Sequence, residues 1–470
     1  MEADRSEEWS KGNPRAYAQE HRLQFLDALR EFVRVPSIST LPEHHGDLQR
    51  AAEWTVRRLS EIGLAARIMP SETHPAVYAE WTGAPGRPTL LCYGHYDVQP
   101  PDPLDLWTSP PFEPAQRGDD LYGRGASDDK GQLLIQVFAV ESLLKAAGRL
   151  PLNVKFFIEG EEEIGSPRMI PFIKKHRQQL RADISLICDG SFFAPERPAL
   201  VTALRGMVYT EVELRGANRD LHSGIFGGAA PNPLEGLARI IAGLKDRKSR
   251  VTIPRYYAPV QPPGEAERSS WNQLGFRDEA YLEDLGVEVA PGEEGYGILE
   301  RRWARPTLEI HGIAGGYTGP GAKTVIPARA TAKISMRLVT DQRPQAVLRA
   351  FTRKVQRLTP PGFRVEVRQL GSGAPLTLSP DAPALRHAAR ALQEVFGRPP
   401  VFMREGGTVP VAAEFMNVLQ APPVLMGFGL PDDNLHSPNE KFHLPNFYRG
   451  IETVIRFMEF VGESGVRVSG

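Results

Sequence analysis

The sequence predicts an α/β protein with a mostly parallel sheet covered by helices, interrupted by an inserted α+β domain. Three observations predict this fold. Strand and helix patterns alternate over about the first 200 residues. After about residue 205, apolar and polar residues alternate along single strands, as in a half-exposed sheet. The pattern of alternating strands and helices resumes near residue 383. We therefore expect one domain from residues 1–204 and 378–470, and a second from residues 205–377.

The first half supplies the elements of the larger domain. Apolar residues recur at helical spacing in 22–35 and 48–62, and again in 132–147 and 167–176. Short apolar runs predict strands at 66–68, 76–81, 88–93, 152–158 and 184–188. Because strands alternate with helices, we expect the strands to pair mainly in parallel.

The middle of the chain predicts a smaller sheet exposed on one side. Strands are expected at 207–214, 331–339 and 363–369, with helices at 233–244 and 344–358. The stretch 245–305 is rich in Pro, Gly and charge, but it also contains Trp271 and Trp303, so we expect it to be ordered. Helices at 384–396, 409–416 and 447–460 and a strand at 423–428 complete the chain.

Composition excludes several classes of protein. A net charge of −1 over 470 residues provides no broadly basic surface for nucleic acid or an anionic membrane. No apolar stretch reaches transmembrane length, and the acidic segment 1–8 is unlike a signal peptide. Cys92 and Cys188 lie in predicted buried strands, which favours free thiols over a disulfide. We therefore expect a cytoplasmic protein.

The acidic triplet Glu161-Glu162-Glu163 follows the predicted strand 152–158. Crowded like charges repel one another unless a cation lies beside them, and the ends of parallel strands are common ligand sites. One glutamate is able to ligate a metal while its neighbour serves as general base. A solvated acidic turn is the alternative for this segment alone.

Two further segments offer metal ligands. His95 and Asp97 form an H-x-D pair after a strand, and side chains two apart on an extended segment point the same way. Asp128 and Asp129 open a predicted helix, preceded by two glycines that suggest irregular backbone around an ion. An ordinary turn for the first segment and helix N-capping for the second remain the alternatives.

Asp189, His222 and His436 are individually weak candidates, since each also fits a loop. Other chemistries lack their motifs, because the chain contains no G-x-x-x-x-G-K-[ST], H-E-x-x-H, C-x-x-C or strand-borne G-x-S-x-G. The glycine-rich turn at 371–373 has no helix start behind it and does not predict a phosphate site.

Read together and in order, these segments resemble the M20 metallopeptidases, over nearly the whole chain. The closest branch is that of the cytosolic non-specific dipeptidases and carnosinases. The motifs that carry the resemblance are YGHYDVQP at 93–100, YGRG at 122–125 with DDKG at 128–131, GEEEIGS at 160–166, CD at 188–189, DLHSG at 220–224, GAKTVIP at 321–327, REGGT at 404–408 and HSPNE at 436–440.

The resemblance implies a site for two divalent cations, with Zn²⁺, Mn²⁺ and Co²⁺ as the candidates. It assigns His95 and Asp189 to one ion and Glu163 and His436 to the other, with Asp128 as the bridge. It makes Asp97 the residue that orients His95 and Glu162 the general base. A cis peptide bond between Asp128 and Asp129 is also implied.

The resemblance further makes the larger domain catalytic and the inserted domain a lid that forms a homodimer. His222 would then reach the partner subunit's site and stabilise the oxyanion. Arg337 would hold the substrate carboxylate, and Thr324 and Thr408 would line the pocket. One departure concerns the turn 371–375, which lacks the His and Lys usual in the dipeptidase branch, so the preferred dipeptide stays open.

The expected function is therefore hydrolysis of the amide bond of dipeptides by a metal-activated water. An N-acyl-amino-acid amidase, or deacylase, is the alternative on the same scaffold, and a metal-dependent binding protein is disfavoured because no ligand or base is missing. The expected partners are a small peptide or N-acyl amino acid and a second copy of the chain, without nucleic acid or membrane.

Overall fold

The computed structural model describes residues 12–464, so the acidic segment 1–8 lies outside the described residues. The chain divides into two compact units. The first is formed by the segment up to Thr202, by Leu378–Met403 and by the segment from Val411 onward. The second contains Ala203–Thr377 and Arg404–Pro410.

The segment Arg404–Pro410 differs from the predicted boundaries, which assigned it to the larger domain. It belongs to the second unit because its side chains bond there. Arg404 pairs with Glu267 through contacts of 2.6 and 2.7 Å, and Thr408 accepts a 2.8 Å hydrogen bond from Arg337.

The chain begins the first unit with five helices and eight strands. They are α1 (Pro14–Glu20), α2 (Arg22–Val33), α3 (His45–Glu61), β1 (Ala65–Met69), β2 (Ala76–Trp81), β3 (Thr89–His95), β4 (Ala115–Arg117), β5 (Asp120–Tyr122), α4 (Lys130–Ala147), β6 (Asn153–Glu159), α5 (Met169–Lys175), β7 (Ile184–Ile187) and β8 (Ala199–Leu204).

The second unit follows, and the chain then returns to the first. The second unit contains β9 (Gly206–Arg215), β10 (Leu221–His222), α6 (Ser223–Phe226), α7 (Pro233–Ala242), α8 (Glu265–Asn272), α9 (Asp278–Leu285), α10 (Ile298–Trp303), β11 (Thr307–Gly315), β12 (Val325–Ile326), β13 (Arg329–Leu338), α11 (Pro344–Leu358), β14 (Arg364–Gly373) and β15 (Leu376–Thr377). The remainder is α12 (Pro383–Phe396), β16 (Val401–Glu405), α13 (Pro410–Glu414), β17 (Pro423–Leu425), β18 (Lys441–His443) and α14 (Leu444–Ser464).

The large sheet of the first unit has the strand order β1-β2-β6-β3-β7-β17-β8. Its centre, β6-β3-β7-β17, is parallel, as predicted, while the outer pairs β1–β2, β2–β6 and β17–β8 are antiparallel. Helix α4 is buried along most of its length, because it packs against β3, α1 and α14. A strand buried on both faces needs an apolar sequence, which explains the continuous apolar runs.

The second unit has a four-stranded antiparallel sheet in the order β11-β13-β9-β14. Helices α7 and α11 pack on it, and alternate residues of β9 are buried beneath them. The core includes Val208, Val212, Ile334 and Phe351. The prediction of a small α+β domain is confirmed.

The excursion 245–305 is ordered, as predicted, with Trp271 packed edge-on against Trp303 at a centroid distance of 5.3 Å. The predicted helix 409–416 is shorter, because α13 passes into a π-helical turn at Phe415–Leu419. Cys92 and Cys188 are buried and unpaired. Among residues 12–464, none of the helices is both long and apolar enough to span a membrane.

Candidate metal centre

The carboxyl ends of three neighbouring parallel strands bring the polar side chains together. Strand β3 ends at His95, β6 leads into a 3₁₀ turn at Glu162–Ile164, and β7 is followed by Asp189. Because β6 and β7 both pair in parallel with β3, these three ends lie at the same edge of the sheet.

Two groups of potential ligands form at this edge and share Asp128. The first contains His95, Asp128 and Asp189, and the second contains Asp128, Glu163 and His436. Within each group, one ligand atom from every residue lies within 4.8 Å of the others. The structure therefore brings together all five residues that the sequence predicted as metal ligands.

The two oxygens of Asp128 face different imidazoles. Asp128 Oδ1 lies 3.1 Å from His95 Nε2, and Asp128 Oδ2 lies 2.9 Å from His436 Nε2. His95 Nε2 is also 3.9 Å from Asp189 Oδ2, and His436 Nε2 is 3.1 Å from Glu163 Oε2. This is the arrangement that a carboxylate bridging two cations requires.

His95 carries the observation that tests whether a cation fits. Its Nδ1 lies 3.0 Å from the backbone oxygen of Asp97 and 3.4 Å from Asp97 Oδ1, so this nitrogen bears the hydrogen. The buried Nε2 has no hydrogen-bond partner among the described residues. Its lone pair therefore faces carboxylate oxygens, an arrangement that a divalent cation would stabilise.

The carboxylates are crowded enough to shift their titration. Burial raises the pKa of Glu163 to about 7 and that of Asp189 to about 6, and the charge of Asp128 adds to both shifts. Burial also raises the pKa of Asp128, but its interactions with the imidazoles of His436 and His95 outweigh this effect and lower the pKa overall. A bound cation would favour the ionised form of all three groups.

Glu162 lies beside these groups without belonging to either. Burial raises the pKa of its carboxyl well above the usual range, as do Asp189 and Glu163, while His95 acts in the opposite direction. Asp97 fixes its backbone, because Asp97 Oδ1 accepts from the N–H of Glu162 at 3.2 Å and Oδ2 from the N–H of Glu163 at 3.1 Å.

Sequence reasoning gave no role to Glu440, which organises the segment before Asp128. Its Oε1 accepts the N–H groups of Ser127 and Asp128, each at 3.1 Å. Its Oε2 accepts hydrogen bonds from the N–H of Gly125 at 3.1 Å and from Nη1 of Arg124 at 2.6 Å. The peptide bond that follows Asp128 is cis, as the resemblance implied.

The remaining predicted residues lie in the second unit and form two pairs. His222 on β10 is exposed, and its Nδ1 accepts a hydrogen bond from the N–H of Gly224 at 3.0 Å. The N–H of the next residue, Ser223, donates to the backbone oxygen of Thr324. Arg337 on β13 donates to Thr408 Oγ1 at 2.8 Å. In turn, Thr408 Oγ1 donates to the backbone oxygen of Arg205 at 2.5 Å.

Comparison with known proteins gives one consistent result. Residues 91–459 match the model of peptidase family M20/M25/M40. Beta-Ala-His dipeptidase from Rattus norvegicus is 31% identical over 459 residues, covering 94% of this chain and 93% of the relative. Cys-Gly metallodipeptidase DUG1 from Candida albicans is 31% identical over 468 residues, covering 95% and 96%.

Among solved structures, an M20 family metallo-carboxypeptidase from Sulfolobus solfataricus superposes with a TM-score of 0.86. It is 32% identical, and the match covers 94% of this chain and 99% of that one. The similarity thus extends through both units of the described fold.

Proposed function

Because the chain belongs to peptidase family M20/M25/M40, we propose that it is a dipeptidase with two divalent cations in its centre. One observation carries this proposal: the carboxylate of Asp128 lies between His95 and His436, with one oxygen toward each. The names of the two relatives, a Beta-Ala-His dipeptidase and a Cys-Gly metallodipeptidase, favour dipeptides over N-acyl amino acids as substrates.

In this proposal His95 and Asp189 would hold one cation, Glu163 and His436 would hold the other, and Asp128 would contribute to both. Three carboxylates and two imidazoles suit Zn²⁺, Mn²⁺ or Co²⁺. Bound there, the cations would lower the pKa of a water molecule and polarise the carbonyl of the scissile amide.

Glu162 is the proposed general base. It takes a proton from the attacking water and later delivers it to the leaving amine. Its raised pKa supports this role, since a raised pKa makes the carboxylate a stronger base. Asp97 supports this role of Glu162 indirectly. Its buried carboxylate accepts a hydrogen bond from the backbone N–H of Glu162 and also lies beside the ring of His95.

The second unit is proposed as the lid and dimerisation domain. Arg337 would hold the substrate carboxylate, with Thr408 and Thr324 lining the pocket. His222 would serve the partner subunit's site, because its Nδ1 accepts a hydrogen bond and its Nε2 therefore carries the hydrogen for an oxyanion.

Two features of the second unit support a homodimer. Ile225 beside His222 is 72% exposed, and Ile313 on β11 is 58% exposed. Strand β11 is also an edge of its sheet, with backbone groups able to pair with another chain. A cytoplasmic location belongs to the same proposal and is supported by the two buried, unpaired cysteines.

The proposal is tested by loading purified protein separately with Zn²⁺ and Mn²⁺ and assaying a panel of dipeptides and N-acetyl amino acids. We expect dipeptide hydrolysis that a chelator stops and added metal restores. Hydrolysis confined to the N-acetyl amino acids would instead identify an amidase, and activity unaffected by chelation would contradict the metal centre.

A further inference from the structure

The second unit contains a strongly cationic cavity that the proposed chemistry does not fully use. Its volume is about 490 Å³, which lies in the size range of small-molecule sites. Six Lys and Arg side chains line it against two acidic ones. The lining includes Arg337, the proposed holder of the substrate carboxylate, together with Arg205 and Arg302.

Most of the other charges in this cavity already have partners. Glu293 pairs with Arg305 at 2.7 Å, and Glu309 with Lys245 at 3.4 Å. Arg301 donates to two backbone oxygens. These groups therefore contribute little free charge toward a ligand.

Three guanidinium groups in the cavity are less fully paired, although the charge of Glu405 acts on Arg205 and exposed Arg302 lies 5.3 Å from the ring centroid of Tyr281. Among residues 12–464, Arg205, Arg302 and Arg337 form no ion pair with a carboxylate. Nη1 of Arg205 is buried and has no hydrogen-bond partner among the described residues. Burial lowers the pKa of Arg205 to about 10, and the neighbouring charge of Arg337 adds to the shift, while the charge of Glu405 acts in the opposite direction. A buried cation held beside another cation favours a bound anion.

Arg205 is also fixed in position. Its Nε donates to the backbone oxygen of Gly406 at 3.0 Å, and a Cβ at position 406 would lie only 2.9 Å from its Nη2. Thr408 connects Arg205 with Arg337, since its hydroxyl donates to the backbone oxygen of the first and accepts from the second. A fixed guanidinium recognises a carboxylate better than a mobile ammonium does.

We propose that Arg205, assisted by Arg302, binds a second carboxylate beside the one held by Arg337, so that the enzyme prefers dipeptides ending in Asp or Glu. The inference rests on the proposed function for the role of Arg337. A single carboxylate at Arg337 would leave Arg205 without an ion pair among the described residues, and the side chain of an acidic C-terminal residue supplies a carboxylate for it.

The test compares kcat/KM for Ala-Glu and for its near-isostere Ala-Gln on the metal-loaded enzyme. We expect kcat/KM to be about 10- to 100-fold higher for Ala-Glu, which is the factor that a hydrogen bond between charged groups contributes. Glu-Ala and Gln-Ala, which carry the same change in the N-terminal residue, should show no comparable preference. Equal kcat/KM for Ala-Glu and Ala-Gln would overturn the proposal.

Variants assign the preference to its residue. Arg205→Met should bring the ratio of the two kcat/KM values close to one, and Arg205→Lys should retain part of it. Arg353→Met, which removes an exposed charge from a different cavity of the same unit, should leave the ratio unchanged. An unchanged ratio of kcat/KM values in Arg205→Met would show that Arg205 does not bind the side-chain carboxylate of the substrate's C-terminal residue.

A binding experiment separates failure of this inference from failure of the proposed function. If the wild type cleaves no dipeptide, the proposed function fails, yet calorimetry with L-glutamate and L-glutamine still tests the cavity. We expect glutamate to bind more tightly, with the difference lost in Arg205→Met, and equal binding would contradict the inference. Acetate that accelerates Ala-Gln hydrolysis, without any preference for Ala-Glu, would show that the cavity takes a free anion instead.

Discussion

His436 Nε2 lies 2.9 Å from Asp128 Oδ2, although 308 positions separate the two residues in the chain. The other oxygen of the same carboxylate lies 3.1 Å from His95 Nε2. Asp128 is therefore the one residue common to both groups of potential ligands, and the two groups depend on it together.

Asp128→Ala should lose both metals, because the shared carboxylate would offset the charge of each cation. Elemental analysis of the purified variant should show far less than one ion per chain, against two for the wild type. Asp105→Ala, which removes an exposed carboxylate from a surface turn, is the matched control and should keep both. Two ions retained in Asp128→Ala would show that Asp128 is not the bridge.

Glu440→Gln should weaken the metal site without removing any ligand. Both oxygens of Glu440 accept hydrogen bonds, so the amide of Gln must turn its NH₂ toward a donor on one side. We expect a loss of about 10- to 100-fold in metal affinity, the usual effect of a residue that orients ligands.

Competition with a chelating dye measures the affinity of Glu440→Gln, and thermal unfolding checks its fold. Glu31→Gln on the exposed face of α2 is the control and should match the wild type in both. Wild-type metal affinity in a folded Glu440→Gln protein would show that the buried carboxylate does not position Asp128.

The residues of the two groups of potential ligands could be predicted from the sequence, whereas the residue that supports them could not. His95, Glu163 and Asp189 follow strands whose apolar runs are evident, and parallel pairing brings such ends to one edge. Glu440 carries no such local signal, because its role depends on contacts with residues more than 300 positions away.

The missed elements have physical reasons of their own. Strand β11 was not predicted, because a register shift between Ile310 and Gly312 interrupts its alternation and its outer part is exposed. The segment Arg404–Pro410 was assigned to the larger domain by its neighbours in sequence, whereas its ion pair with Glu267 groups it with the second unit. In both cases the outcome depends on pairing with residues that are distant in sequence.

His222→Ala should lower kcat by about 10²–10³-fold and leave metal content unchanged, because it removes an oxyanion donor and no ligand. Steady-state kinetics and elemental analysis check the two halves of this expectation. Arg219→Ala, in the same exposed loop, is the control and should keep kcat near that of the wild type. A kcat within threefold of the wild type would exclude His222 from the reaction.

A mixing experiment tests whether His222 acts in the partner subunit. His222→Ala and Glu162→Gln proteins, each with strongly reduced activity alone, should regain activity after subunit exchange, since one site of the hybrid then combines an intact Glu162 with an intact His222. Hybrid dimers verified by mass spectrometry that stay as inactive as their parents would place His222 outside the partner's site.

In the proposed mechanism, Glu162 moves the proton while other residues hold the metal. The most direct measurement is the turnover of a dipeptide by Glu162→Gln protein whose metal content is determined on the same sample. We predict two ions per chain and turnover lowered by at least about 10²–10⁴-fold, the range that general base catalysis contributes. Two bound ions together with turnover within tenfold of the wild type would show that Glu162 is not the general base.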